Sequence, residues 1–393
     1  MNTYLQLNET DLNRDGALWT AREIAQQPAS WLRTQDVIRR HAAAIAAFLD
    51  PLLAIPALRI ILTGAGSSSF IGECLAPLLL QRLGRRVEAI ATTDLLSGPR
   101  QYFQHDVPTL LVSFGRSGSS PESIAVVDLA EQLVAQCHQL VFTCNEQGAL
   151  YRRCRERHNS LAVLLPPETH DQSFAMTSSF TAMMLAASLV FHGAKAGAPG
   201  VAATGIRDVA AIAHAAEGLL EQHNATFEAL AAESHSRVVY LGSNGLKGLA
   251  REAALKLLEL TDGKVIAAFD SPLGFRHGPK TIVTRDTLLF VFVSNDPYTR
   301  GYDLDLLREL RSEALAGRVI AITAQIEDEV TRGEYLHIRQ LGGAGDDELY
   351  FPYIVCGQLY AFHRALSVGN KPDQPSNSGT VSRVVRGVTI HTL

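Results

Sequence analysis

Residues 59–69 read RIILTGAGSSS. The apolar run Arg59-Ile60-Ile61-Leu62-Thr63 stops at Gly64-Ala65-Gly66, and three serines then open a helical pattern that lasts to about Leu83. A short run with no polar alternation predicts a strand buried on both faces, as in a parallel sheet. The same kind of stretch returns further on. Arg237-Val238-Val239-Tyr240-Leu241-Gly242 matches residues 59–64, and Thr287-Leu288-Leu289-Phe290-Val291-Phe292 matches Thr109 to Phe114. Both pairs share one offset of 178 residues, since 237 less 59 and 287 less 109 are the same number. Two matches at a single offset predict two similar halves.

Between these anchors, strand-like and helical stretches alternate. In the first half Val87 to Ala91, Leu140 to Thr143 and Leu161 to Leu165 read as strands, and Pro121 to about Gln136 as a helix. In the second half Val319-Ile320-Ala321-Ile322 and Glu348-Leu349-Tyr350-Phe351 stand where the fourth and fifth strands are expected. The predicted fold class is α/β: two tandem doubly wound α-β-α sandwiches with parallel sheets. The expected boundaries are a helical N-terminal arm over 1–44, a first domain over 45–200, a second over 220–370 and a C-terminal tail over 371–393. Gly193 to Gly205, rich in Ala and Gly, reads as the linker.

Composition narrows the function. The chain has 393 residues, 47% apolar and 19% charged, with a net charge of −5, so it has material for a large core and no basic surplus for nucleic acid or anionic membranes. Its five cysteines, Cys74, Cys137, Cys144, Cys154 and Cys356, form no CxxC pair, and the start MNTYLQLNET is polar, which predicts reduced thiols in a cytoplasmic protein. The apolar stretch Phe174 to Gly193 is interrupted by Thr177, Ser178, Ser179 and Thr181, which predicts a buried helix and no membrane span. No HExxH or zinc-spaced cluster appears, so neither metal nor other cofactor is expected.

The chemistry is expected at strand ends. Residues 114–123 read FGRSGSSPES, directly after the strand Thr109 to Phe114 and before a helix. Gly115 and Gly118 permit a tight turn, Ser117, Ser119 and Ser120 supply small hydroxyls, and the helix adds free N–H groups and the positive end of its dipole. One serine there would be an ordinary helix cap. A cluster, with the matching turn Gly64 to Ser69, predicts a phosphate cradle. The GxG lacks the third glycine of a dinucleotide fingerprint and no GxxxxGK[ST] occurs, so a small phosphorylated metabolite fits better than a nucleotide. The second half reads Val293-Ser294-Asn295-Asp296-Pro297 at the equivalent place and has lost the serines. It carries Glu252 and Glu259 instead, seven apart and therefore on one helix face; by themselves they read as a solvated pair or, beside the apolar stripe, as a carboxylate able to serve as a general base. His277, before Gly278-Pro279, is presented by a constrained loop, though one of 13 histidines decides nothing alone.

Together, Gly64-Ala65-Gly66-Ser67-Ser68, Arg116-Ser117-Gly118-Ser119-Ser120, Glu252-Ala253-Ala254-Leu255-Lys256-Leu257-Leu258-Glu259 and His277-Gly278-Pro279 resemble the sugar isomerase (SIS) domains, in the order found in the isomerase half of glucosamine-6-phosphate synthase. Ala91-Thr92-Thr93-Asp94-Leu95 with Pro99-Arg100-Gln101-Tyr102, the stretch 270–279 and the tail 383–388 look like the galactosamine-6-phosphate deaminase/isomerase type, also called tagatose-6-phosphate ketose/aldose isomerase. The resemblance covers about residues 45–390. It implies that Ser68, Ser117 and Ser120 hold a 6-phosphate, with Ser67 and Ser119 beside them. It makes Glu259 the base moving a proton between C2 and C1, His277 the aid to ring opening, reaching in from a neighbouring subunit of a homo-oligomer, and Glu252 a support at the sugar end. Phe174 and Ala175 match the loop beside the sugar. Three positions depart from the synthase pattern: Gly115-Arg116 replaces Ser-Gln, which puts Arg116 in reach of phosphate or substrate; Arg386 aligns with a tail lysine; Ser178 replaces another lysine.

With the first cysteine at 74 behind Met1-Asn2-Thr3, no glutaminase nucleophile opens the chain, so breakdown of an amino sugar phosphate is expected rather than synthesis. A plain aldose–ketose isomerase needs the same base and acid and stays open. A non-catalytic sugar-phosphate sensor would have no use for Glu259 and His277. The gluco or galacto configuration at C4 is left open by the residues themselves.

Overall fold

A computed structural model describes residues 2–193, 206–385 and 387–393. The expected linker and Arg386 lie outside the described residues, apart from Gly193, the last residue of a helix. The chain divides into two compact units. One is built from Ala29–Asp171, Ser178–Ile206 and Val381–Leu393, the other from Met1–Pro28, Gln172–Thr177 and Arg207–Thr380.

The first of these holds a five-stranded parallel sheet, in spatial order Val87–Ala89, Arg59–Thr63, Thr109–Gly115, Cys137–Thr143, Ser160–Leu164. Ile60, Ile61, Leu62, Leu110, Leu111 and Val112 are wholly buried, which is why these strands show no polar alternation. Ile61, Leu111, Val126, Val141 and Leu150 share one core cluster on one face of the sheet. The helix Ser178–Gly193 is apolar nearly all round and buried. Asp171 caps it, accepting from Ser178 N at 3.1 Å, Ser179 N at 2.9 Å and Ser179 Oγ at 2.5 Å. The preceding residues 174–177 are not helical, so the helix is shorter than the apolar stretch that predicts it. Among the described residues no helix is long and apolar enough to cross a membrane.

The other unit repeats the plan. Its parallel sheet runs Ile266–Asp270, Arg237–Gly242, Thr287–Phe292, Arg318–Thr323, Tyr335–His337. Arg237 pairs with Thr287 as Arg59 pairs with Thr109, so the offset of 178 survives as one register. Tyr240 stacks on Phe290 with ring centroids 5.2 Å apart, and Tyr353 donates to Val293 O at 2.9 Å.

Two expectations need correction. Glu348 to Phe351 is not the fifth strand but the start of the helix Asp346–Ser367; Tyr335–His337 takes the edge. Acidic Asp346, Asp347 and Glu348 suit a helix N-terminus, and Glu348 Oε2 accepts from Gly345 N at 3.0 Å. Burial on all sides makes its sequence look like a strand. The arm is likewise not purely helical: a two-stranded antiparallel ladder, Thr3–Tyr4 with Leu7–Asn8, precedes three helices, and the last, Gln27–Leu53, passes well beyond residue 44.

In each sheet the first strand in sequence lies between the second and the third. The direction of winding changes there, so the crevice at the carboxyl ends of strands one and three is where such sheets bind ligands.

Candidate active site

In the first sheet that crevice is flanked by the two serine turns, because strands 59–63 and 109–115 are paired neighbours. Gly64 lets the next helix fold tightly onto the strand end: a Cβ there would lie 2.5 Å from the Ser68 carbonyl carbon. Gly66, the N-cap, has φ 58° and ψ −131°, a conformation that glycine adopts without steric cost. Ser67, Ser68 and Ser69 form the buried first turn of the helix Ser67–Leu83. Ser69 turns inward, its Oγ donating to Gly66 O at 2.7 Å.

The second turn is braced from its far side. Thr143 Oγ1 donates to Gly115 O at 2.7 Å, Asn145 Nδ2 to Ser117 O at 3.0 Å and Leu150 N to Gly118 O at 2.9 Å. Gly118 has φ 58°, and a Cβ on it would lie 3.0 Å from Thr143 Oγ1. Ser120 caps the helix Pro121–Leu133, accepting from Ser123 N at 3.3 Å and donating to Ser123 Oγ at 2.7 Å. Ser119 is exposed, and its Oγ accepts from Ala149 N at 3.2 Å, joining the turn to the helix Ala149–Arg155. Ser117 is half-buried, its Oγ 3.3 Å from Ser119 N.

Arg116 is buried and donates from Nη2 to the carbonyl of Arg383 at 2.7 Å, while Arg383 donates to the carbonyl of Asp171. The arginine of the turn therefore fastens the C-terminal segment. His170 beside it is pushed below the usual imidazole range, first by burial and then by the charges of Arg383 and Arg116. Burial raises the Cys144 thiol to about 12 and leaves it unreactive.

In the other unit the strand Arg237–Gly242 leads into the helix Gly245–Leu260 through the same turn. A Cβ on Gly242 would lie 2.5 Å from Leu246 O, and Asn244, with φ 52° and ψ −124°, stands where Gly66 stands. This helix packs closely on Asp346–Ser367: a Cβ on Gly357 would lie 2.8 Å from the Ala253 Cβ. Its inner face carries Glu252, Lys256 and Glu259. Glu252 and Lys256 are fully buried and Glu259 is 24% exposed. Lys256 Nζ donates to Glu259 Oε2 at 2.5 Å and stands 3.4 Å from Glu252 Oε1. The two carboxylates do share a face with the lysine between them; the i, i+4, i+7 spacing of Glu252, Lys256 and Glu259 is the sequence signal for this buried lysine.

His277 follows the short helix Pro272–Phe275, which is capped by Ser271 and anchored by buried Phe275. Arg276 Nε donates to Glu309 Oε2 at 2.8 Å, and Lys280 donates to Glu309 and Glu313. The loop is thus pinned on both sides of an exposed imidazole, which has no hydrogen-bond partner among the described residues. Phe174 N donates to Asp373 O at 3.2 Å, and Ala175 is buried beyond it.

The second sheet has the same crevice, but its own carboxylates fill it. Asp303 accepts from Ser243 Oγ at 2.5 Å and Ser294 N at 2.9 Å; Asp346 accepts from Ser294 Oγ at 2.6 Å and Asn295 N at 2.7 Å. Ser294 and Asn295 are the counterparts of Arg116 and Ser117 at the repeat offset, so the anion position is satisfied internally here. Among the described residues no group of three or more His, Cys, Asp or Glu could hold a metal.

Two parallel sheets of this winding, with serine turns at one switch point, define a sugar isomerase-domain protein, and the SIS domain family matches residues 53–193. Over 374 residues, 95% of each chain, the sequence is 48% identical to the D-galactosamine-6-phosphate deaminase AgaS of Escherichia coli. The crystal structure of tagatose-6-phosphate ketose/aldose isomerase from Escherichia coli superposes with a TM-score of 0.86 at 44% identity, covering 95% of this chain and 96% of that one. The C-terminal domain of glucosamine-fructose-6-phosphate aminotransferase from Francisella tularensis shares the fold, with a TM-score of 0.72 at 16% identity, over 91% of this chain and 98% of that one. The chain belongs to the AgaS family.

Proposed function

We propose that this protein is an isomerising amino-sugar phosphate deaminase, converting D-galactosamine 6-phosphate and water to D-tagatose 6-phosphate and ammonia. The observation that carries the reading is the near full-length 48% identity to a D-galactosamine-6-phosphate deaminase. The serine turns and the helix carrying Glu252 and Glu259 stand in the same chain.

Ser67, Ser68, Ser117 and Ser120, with the N-terminal amides of their helices, hold the phosphate, and Ser119 shapes the turn. Arg116 ties down the segment around Arg383, and Arg386 is assigned to the substrate from the sequence alone. His277 opens the sugar ring. Glu259 removes the C2 proton of the open-chain aldehyde, giving an enolamine, and returns a proton to C1, which leaves an imine at C2. Water adds to that imine, the C–N bond breaks and ammonia leaves. Glu252 and Lys256 fix the Glu259 carboxylate, and Phe174 and Ala175 border the sugar. In this reading His277 acts on a neighbouring copy in a homo-oligomer, and the enzyme works in the cytoplasm, where phosphorylated sugars are retained.

The test is an assay of ammonium and ketose from D-galactosamine 6-phosphate. Equal yields are expected. Glu259→Gln should lower turnover by about 10²- to 10⁴-fold with substrate binding largely kept; an unimpaired variant refutes the base. The resemblance to a ketose/aldose isomerase structure supports a second reading. Ketose formed from an aldose 6-phosphate, with no ammonium from the amino sugar, would select it.

A further inference from the structure

The unit that holds the serine turns contains a cavity of about 570 Å³, and none of the residues assigned above to phosphate lines it. That volume lies in the range of small-molecule sites. One wall is the segment Val388 to Leu393; the other comes from the helices Thr92–Ser97 and Pro121–Leu133 and from Pro99.

Glu122 is the acidic side chain of this lining, which also includes the exposed His391. Glu122 is 8% exposed, its Oε2 is buried, and among the described residues nothing donates a hydrogen bond to it. It sits in the first turn of its helix, where the dipole favours negative charge but supplies no partner. A buried carboxylate without a donor is costly, and a cationic ligand would remove that cost. The rest of the lining fits a sugar. Thr93, Ser97, Thr389 and Thr392 offer hydroxyls, while Leu96, Leu129 and Ile390 offer an apolar surface for a C–H face. Among the described residues no Lys or Arg lines the cavity, so the buried carboxylate of Glu122 faces no such cation there.

We propose that this cavity is a second ligand site, taking an unphosphorylated amino sugar with its ammonium on Glu122. Such a ligand would bridge the helices and the segment 388–393. The site is separate from the phosphate cradle and does not depend on the reaction proposed above.

The experiment is calorimetric titration of the full chain with D-galactosamine and, separately, D-galactose, in saturating inorganic phosphate so that the cradle is occupied. Saturable binding of galactosamine is expected, with galactose about tenfold weaker or more, the effect of one lost charged hydrogen bond. Glu122→Gln should weaken galactosamine about tenfold and abolish the discrimination. Should that variant fail to fold, exposed Thr93→Val and removal of residues 388–393 must each weaken binding. Equal affinity for both sugars, no saturable binding, or binding lost with Ser117→Ala but kept in Glu122→Gln would each overturn the proposal.

Discussion

At the scale of single residues, Lys256 balances two carboxylates on one helix face. An ammonium buried between Glu252 and Glu259 offsets charge that could not otherwise sit beside an apolar stripe. Removing it leaves Glu252 buried with its ion pair gone. Lys256→Met should therefore destabilise the protein by about 3–5 kcal/mol, read as a lower urea midpoint. A loss of activity without loss of stability would show that Lys256 does not support the fold. Arg116 makes the complementary point. It stands in the serine turn, and its Nη2 donates to the carbonyl of Arg383, tying the C-terminal segment to that turn. The sequence showed a cation in the turn but not the direction of its side chain.

At the scale of elements, the strand-to-helix turn is the shared device. Gly64 and Gly242 occupy equivalent places, and each would set a Cβ 2.5 Å from backbone atoms of the following helix. Gly64→Ala and Gly242→Ala should each cost about 1–3 kcal/mol, measurable as a drop in thermal midpoint; indifference at either site would mean the helix can shift. The second crevice gives a pH prediction. Burial raises Asp303 to about 7, against the hydrogen bonds from Ser243 and Ser294, and also raises Asp346. A carboxyl with a raised folded pKa contributes stability that is complete below its unfolded value and is lost as pH rises through its folded value. Stability should thus fall between about pH 4 and pH 7 relative to Asp303→Asn, which cannot titrate. Urea midpoints at pH 5 and pH 8 measure this; parallel behaviour of the two proteins refutes it.

At the scale of the whole molecule, one ancestral plan serves two tasks. The first repeat has serine turns at its switch point, and the second fills its own crevice with Asp303 and Asp346 and carries Glu259 and His277. If His277 serves a neighbouring copy, Glu259→Gln and His277→Ala subunits should complement. Co-refolded mixtures should recover activity that neither variant has alone, because some sites receive both intact residues. Mixtures no more active than the sum of their parts would place His277 and Glu259 on one chain's own substrate.

The sequence by itself determined the parallel sheets, the repeat offset and the glycine-serine turns. These follow from local rules: continuous apolar runs for buried strands, and glycine where the backbone needs φ 58° or a helix must close on a strand end. The shared helix face of Glu252 and Glu259 was also legible, since helical periodicity fixes it. Tertiary structure alone decided that residues 348–351 are helix, that Lys256 is buried between two carboxylates, that Arg116 holds the C-terminal segment and that two aspartates fill the second crevice. Each of these depends on which distant group arrives beside a side chain. An all-apolar segment reads alike whether it is a buried strand or a buried helix, and a charged side chain carries no local sign of the partner that will neutralise it.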